Sequence, residues 1–275
     1  MKKIQLQSGI SLPVLGQGTW KMGESQAHWQ EEIEALHSGF DLGMTLVDTA
    51  EYYGKAEDLV GEAVKGIRNE ITIVSKVIPN NATKEGTLAA CERSLRRLKT
   101  DYIDIYLLHW KGAVPFSETL EAFRLLKSSG KIRHYGVSNF DLSAMEKAVN
   151  LPGGEEVLTN QVLYNLSHRG IEWDLLPWCQ SKDIPIMAYS PFDEGRLLNH
   201  PFLNQIAASL NATPAQIALA WILQQKKVVA IPKTGNIGRI KENNAALQLK
   251  LPEEILIKLN KFFPSPAKKM DLEII

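Results

Sequence analysis

The chain opens on an alternation of apolar and polar positions. Ile4, Leu6, Ile10 and Leu12 alternate with Gln5, Gln7 and Ser11 about Ser8-Gly9, the pattern of a small β-hairpin with a tight glycine turn. Pro13 ends it, and Val14-Leu15-Gly16-Gln17-Gly18-Thr19-Trp20 reads as a short buried strand with a polar and aromatic end. From there a short apolar, β-branched run recurs about every thirty residues, the length of a strand plus a crossover helix. The runs are Leu46-Val47, Ile71 to Val74, Ile103 to Leu108, Tyr135-Gly136-Val137, Val157-Leu158-Thr159, Ile184 to Ala188 and Val228 to Ile231. With the run at Val14 they predict about eight strands, the number a closed parallel barrel requires.

Helical spacing fills the intervals. Leu88, Cys91, Leu95 and Leu98 step by three and four after Thr83, which puts one apolar stripe on a helix. Leu120, Phe123 and Leu126 do the same after Ser117, the expected N-cap, and Gly130 ends that helix. Asp141 is expected to cap a helix carrying Leu142, Met145 and Val149. Thr213-Pro214-Ala215-Gln216 is a capping box with proline at the first helical position. The helix it opens, Ile217 to Gln225, is apolar nearly all round and is expected to be deeply packed. Two segments exceed the rhythm: Asn199 to Leu210 predicts an extra helix, and Pro252 to Phe263 another, with Ile255, Leu259 and Phe262 on one face. Pro264 to Ile275 reads as a short surface segment. With no linker or low-complexity tract, the expectation is an α/β fold in one domain over residues 1–275: a (β/α)8 TIM barrel with an N-terminal hairpin and two extra helices.

Composition narrows the function classes. The 275 residues suit such a barrel. Lys+Arg and Asp+Glu both total 31, which argues against nucleic acid or an anionic membrane as the main partner. The two cysteines, Cys91 and Cys179, fall in apolar helical patterns and read as buried hydrophobes, not as a disulfide framework or zinc site. No apolar run approaches the roughly 18 residues of a membrane span. The start Met1-Lys2-Lys3-Ile4-Gln5 lacks the apolar core of a signal peptide, so a cytoplasmic location is expected.

In a barrel of this kind the active site lies at the C-terminal ends of the strands. The polar residues that follow the runs are Asp48 and Tyr53, Lys76, His109, Ser138 and Asn139, Asn160 and Gln161, Tyr189 and Ser190, and Lys233 and Thr234. Asp48 and Lys76 can pair across adjacent strands. Lys76 beside the Tyr53 hydroxyl is expected to lower the phenol's pKa from near 10, making Tyr53 a proton donor to a carbonyl oxygen. His109 can orient that oxygen. There is no metal set, no cysteine pair and no nucleophile with its base, so the machinery lacks an electron source, which a bound hydride carrier would supply. Taken singly these residues have blander readings: a structural ion pair in the barrel, a satisfied core histidine, a rim tyrosine. A lyase that forms a Schiff base on Lys76 and a cofactor-sensing protein with vestigial catalysis are the competing functions. Lys233-Thr234-Gly235-Asn236-Ile237-Gly238-Arg239 offers two cations, a hydroxyl and the amides of a helix N-terminus, the makings of a phosphate site.

These residues resemble the aldo-keto reductases. The resemblance is carried by Gly16-Gln17-Gly18-Thr19-Trp20, Asp48-Thr49-Ala50 with Tyr53-Gly54, Ser75-Lys76, Leu108-His109-Trp110, Gly136 to Phe140, Asn160-Gln161, Ala188-Tyr189-Ser190-Pro191 and Ile231-Pro232-Lys233-Thr234. It runs from the hairpin to Asn243 and is closest to bacterial members that reduce methylglyoxal and other small aldehydes. It implies Tyr53 as general acid, Asp48 and Lys76 tuning it, and His109 positioning the carbonyl. It implies NADPH as cofactor, with Thr19, Trp20 and Asp48 among its contacts, and Ser138, Asn139 and Gln161 on the nicotinamide carboxamide. Tyr189 would stack on the ring, and Ser190 and Pro191 would meet the pyrophosphate. Lys233, Thr234 and Arg239 would take the 2′-phosphate, and Glu242 and Asn243 the adenine. Trp20, Tyr53, His109 and Trp110 would bind substrate, with Phe192 as a further wall of a shallow pocket. A small-molecule carbonyl partner and a monomer are implied, and Tyr52 beside Tyr53 is left without a role.

Overall fold

The computed structural model describes residues 2–7 and 9–275. The hairpin is present: β1 (Lys3–Gln5) pairs antiparallel with β2 (Ser11–Pro13), Ile4 opposite Leu12. Gly9 turns the chain at φ 84°, a conformation glycine adopts without a Cβ clash. Ser8, the other residue of the expected turn, lies outside the described residues.

Among the described residues eight further strands form one sheet: β3 (Gln17–Gly18), β4 (Leu46–Asp48), β5 (Thr72–Val77), β6 (Ile103–Leu108), β7 (Ile132–Ser138), β8 (Val157–Leu163), β9 (Ile186–Tyr189) and β10 (Val228–Ala230). Each pairs in parallel with the next. Parallel bridges from Leu15 to Ala230 and from Gly18 to Lys233 join the last strand to the first, closing the barrel. Around it run α1 (Trp29–Asp41), α2 (Ala56–Ala63), α3 (Lys84–Leu98), α4 (Phe116–Ser128), α5 (Leu142–Val149), α6 (Leu175–Ser181), α7 (Pro201–Ser209), α8 (Pro214–Leu223), α9 (Ile237–Ala245) and α10 (Glu253–Phe262). The helices outside the eightfold repeat are α7 and α10, as the spacing predicts.

Side-chain capping accounts for several helix starts. Thr83 accepts from the Gly86 N–H, Asp141 from Ala144, and Thr213 and Gln216 form the expected capping box. Ser117 is not a cap: α4 begins one residue earlier behind Pro115, whose fixed φ sets the entry. On α10, Ile255 and Leu259 are buried, but Phe262 is 51% exposed and Phe263 fills the space under the helix instead. Phe262 stacks on Phe202 at 4.3 Å between ring centroids.

Strand alternation sorts the side chains into two cores. Leu46, Val74, Ile105, Leu107, Met187, Val229 and Ile231 fill the barrel, with Leu6 and Leu12 of the hairpin packed against them. Val47, Ile73, Val77, Tyr106, Leu108 and Val228 face the helices. The inward row therefore places Asp48 above Leu46 and Lys76 above Val74, both at the C-terminal end of the barrel.

Candidate active site

Asp48 and Lys76 are 3% and 0% exposed. A buried carboxylate and ammonium are tolerable only as partners, and here Lys76 Nζ lies 2.8 Å from each Asp48 oxygen. It also donates to the Thr49 carbonyl at 2.8 Å and reaches the Tyr53 hydroxyl at 3.4 Å. The Tyr53 loop leaves β4, turns through a Tyr53 N–H bond to the Ala50 carbonyl, and brings the phenol back over the lysine.

The expected lowering of the Tyr53 pKa does not hold. Burial, and after it the Asp48 charge, hold the phenol well above its ordinary value. Burial also lowers Lys76, against the opposing pull of Asp48. The lysine's charge is committed to Asp48, so Tyr53 stands as a fully protonated donor. His109 follows β6 and lies edge-on to Tyr53, 5.6 Å between centroids. Burial and the Lys76 charge lower its pKa to about 2, so the imidazole is neutral and offers one N–H. Its Nδ1 is buried without a partner.

An aromatic collar surrounds these groups. Trp20 meets Tyr53 edge-on at 4.9 Å, and Trp110 lies 4.6 Å from the His109 ring. Tyr52 stacks on Trp20 at 6.2 Å and turns its ring toward Trp110 at 5.8 Å. Tyr52 is thus the third wall of the mouth. Phe192 is half-buried and packs against the outer core between strands and helices.

The neighbouring strands supply amides and hydroxyls. Ser138 Oγ donates to the Gln161 carbonyl at 2.9 Å, and Asn139 Nδ2 to the His109 carbonyl at 3.1 Å. The Tyr189 hydroxyl donates to Asn139 Oδ1 at 3.0 Å. Gln161 Nε2 donates to Asp48 Oδ1 at 2.7 Å across the barrel. Asn160 does not converge on the mouth: its side chain bonds the Phe140 N–H and carbonyl. The cause is a register shift between Tyr135 and Val137. A bulge inserts one residue and flips the alternation, aiming Gln161 inward in place of Asn160.

Thr19, just after β3, is buried and donates to the Asp48 carbonyl. Lys233 and Arg239 are exposed, and among the described residues neither has a carboxylate partner within salt-bridge distance. Thr234 Oγ1 accepts from the Asn236 N–H, and Asn236 caps α9 by accepting from the Arg239 N–H. Asn243, on the same helix, is buried with Nδ2 unpartnered, and Glu242 is half-buried beside it. Ser190 and Asn139 both take left-handed backbone angles, φ 49° and 58°, where their strands end. Pro191 is buried between Ser190 and the short 3-10 segment Asp193–Asn199.

The description of the aldo/keto reductase family fits residues 14–262. This chain belongs to that family. It is 48% identical over 281 aligned residues to methylglyoxal reductase YeaE of Escherichia coli K12, covering 100% of this chain and 99% of that protein. It is 35% identical to the glyoxal reductase of Bacillus subtilis, covering 94% and 91%. An aldo/keto reductase from Klebsiella pneumoniae, crystallised with NADP and acetate, superposes with a TM-score of 0.96 at 45% identity, covering 100% and 99%.

Two features of this aldo-keto reductase escape its sequence pattern. The tail is more than surface chain: Glu273 pairs with His168 and Lys269 with Asp174. Glu51, between Asp48 and Tyr53, has its carboxylate buried in a set of hydrogen bonds; its only sequence signal is its place between two site residues. Among the described residues no single helix is long and apolar enough to cross a membrane.

Proposed function

We propose that this chain reduces small aldehydes and dicarbonyls, methylglyoxal among them, to alcohols with NADPH. The observation that carries the reading is the convergence of Tyr53, Lys76, Asp48 and His109 inside the aromatic collar. A substrate carbonyl seated there takes a hydrogen bond from the neutral His109 N–H and faces the protonated Tyr53 hydroxyl. Bound NADPH supplies the hydride to the carbonyl carbon. As the carbonyl oxygen gains charge, the Tyr53 proton moves to it, and the phenolate left behind meets Lys76 Nζ, preorganised by Asp48.

The residues present suit that cofactor. Lys233 and Arg239, which have no carboxylate partner among the described residues, suit with Thr234 and the N-terminus of α9 a 2′-phosphate, which NADH lacks. Asn243 Nδ2, buried without a partner, suits the adenine, with Glu242 beside it. Ser138, Asn139 and Gln161 suit a carboxamide, Tyr189 and Trp20 a ring face, and Ser190 and Pro191 the pyrophosphate. Thr19 fixes the Asp48 backbone. The collar of Trp20, Tyr52 and Trp110 admits small carbonyls. We read the protein as a cytoplasmic monomer.

The lyase alternative has no support in the geometry. Lys76 is wholly buried and its protons are engaged by Asp48 and Thr49, so it is not a free amine. The test is steady-state reduction of methylglyoxal with NADPH by the parent and by Tyr53→Phe, with NADPH binding followed by tryptophan fluorescence. We expect the variant to bind NADPH and to lose nearly all turnover. Parent-like turnover in Tyr53→Phe would remove Tyr53 as the acid, and absence of NADPH binding in the parent would remove the cofactor.

A further inference from the structure

The loop that carries Tyr53 is tied to the rest of the barrel by one side chain that the reaction above does not use. Glu51 lies three residues after Asp48 and two before Tyr53. Its side chain is 6% exposed. Its N–H donates to the Lys76 carbonyl at 3.2 Å, extending the pairing that Thr49 makes with the Val74 carbonyl. At Tyr52 the chain leaves this edge. The Ile78 N–H, two residues beyond Lys76, finds no backbone carbonyl there and donates to Glu51 Oε1 at 2.9 Å. The same oxygen accepts from Asn81 Nδ2 at 3.0 Å, and Oε2 accepts from Arg93 of α3 at 3.3 Å.

Past Glu51 the loop holds itself. Tyr52 makes no hydrogen bond among the described residues. Tyr53 bonds through its backbone only to Ala50 and Ala56, and through its hydroxyl to Lys76. Asp48 and Lys76 need no such support, because each is fixed on a strand. The distance between the phenol and the lysine therefore depends on where the loop is anchored. That anchor is the Glu51 carboxylate, which stands in for the missing strand carbonyl.

We propose that Glu51 is a positioning residue for catalysis: it fixes the Tyr53 loop against the Lys76–Ile78 segment so that the phenol meets Lys76. The inference rests on the reading of Tyr53 as the acid. Displacing a reacting group by about 1 Å costs up to 100-fold in rate, and among the described residues the Glu51 carboxylate hydrogen-bonds to no collar or cofactor residue. The expected mark is thus a loss in kcat without a matching loss in binding.

The experiment compares the full-length parent, Glu51→Ala, Glu51→Gln, Glu51→Asp and Tyr53→Phe. Methylglyoxal kcat and KM are normalised to NADPH-binding sites measured by fluorescence titration. Glu51→Ala should lose roughly 10- to 100-fold in kcat, with KM and the NADPH Kd within about twofold. Glu51→Gln keeps a carbonyl oxygen for the Ile78 and Asn81 donors and should regain most of that loss, whereas Glu51→Asp keeps the charge but falls short of them and should not. If Glu51→Ala does not fold, the Gln and Asp pair carries the same comparison. A Glu51→Ala kcat within twofold of the parent, or equal losses in Gln and Asp, overturns the proposal. Full activity in Tyr53→Phe removes the acid reading and this inference together. An inactive Tyr53→Phe beside a parent-like Glu51→Ala removes the inference alone.

Discussion

Lys76 Nζ sits 2.8 Å from both oxygens of Asp48, and neither residue has more than 3% of its surface in water. The pair is the only arrangement that makes either charge tolerable at that depth. Removing one partner strands the other. Lys76→Met should therefore destabilise the protein by about 3–5 kcal/mol, and Asp48→Asn similarly. The double variant Asp48→Asn, Lys76→Met should recover much of the loss, because no unpaired charge remains. Urea unfolding of the four proteins gives the coupling. A single Lys76→Met loss below about 1 kcal/mol, the range of an exposed pair, would contradict the burial argument.

His109 is predicted to stay neutral throughout the working pH range, since burial and Lys76 lower its pKa to about 2. The unfolded chain binds that proton near pH 6.5 while the folded chain refuses it. Its contribution is thus fully present above about pH 6.5 and falls as pH drops from there toward 2, with a slope of up to about 1.4 kcal/mol per pH unit. The His109→Gln variant should lack that slope, which urea midpoints from pH 7 to 5 would reveal. In turnover, the parent kcat should show no ionisation near 6.5 that disappears in His109→Gln. Finding one would mean that the ring titrates in the folded protein.

The strand rhythm and the inward positions of Asp48 and Lys76 were legible because both depend on strictly local regularities. A period of two fixes which side of a strand a residue takes, and capping chemistry fixes where Thr83, Asp141 and Thr213 open their helices. What escaped depended on contacts distant in sequence. The bulge in β8 that turns Gln161 inward and Asn160 outward arises from pairing with β7, and no residue type marks it. Whether Lys76 lowers the Tyr53 pKa was decided by which neighbour claims the lysine's charge, and Asp48 claims it. Phe192 follows a strand just as Trp20 and Trp110 do, yet its ring packs against the outer core through contacts distant in sequence. The roles of Tyr52 and Glu51 appear only once the loop is folded against Trp20, Trp110 and the Ile78 segment.

Arg239 is exposed at the first turn of α9, with no carboxylate within salt-bridge distance among the described residues, beside the Lys233–Thr234 loop. If it grips the 2′-phosphate, Arg239→Ala removes a charge-assisted bond worth about 1.5–3 kcal/mol. That corresponds to roughly 10- to 150-fold in the NADPH Kd. Binding of NADH, which offers no phosphate there, should change by less than about twofold, and the NADPH effect should shrink as salt is raised. Fluorescence titrations with both cofactors at two ionic strengths measure this. Equal losses for NADPH and NADH would place Arg239 elsewhere on the cofactor or in the fold.

Tyr52 is 57% exposed, the most open of the large aromatics at the mouth, and closes the gap between Trp20 and Trp110. Its ring excludes bulk beside His109 without touching the Asp48–Lys76 pair. Tyr52→Ala should open that side while leaving the four reacting groups in place. Methylglyoxal, too small to use the wall, should keep both kcat and KM within a few-fold of the parent. An aromatic aldehyde such as 4-nitrobenzaldehyde should gain in kcat/KM relative to methylglyoxal by up to about tenfold, the scale of a methylene or two of pocket fit. A competition assay with both aldehydes, read by product chromatography, gives the ratio directly. An unchanged ratio would show that the collar does not set substrate size, and a collapse of kcat for both aldehydes would show that Tyr52 supports the acid loop instead of the pocket.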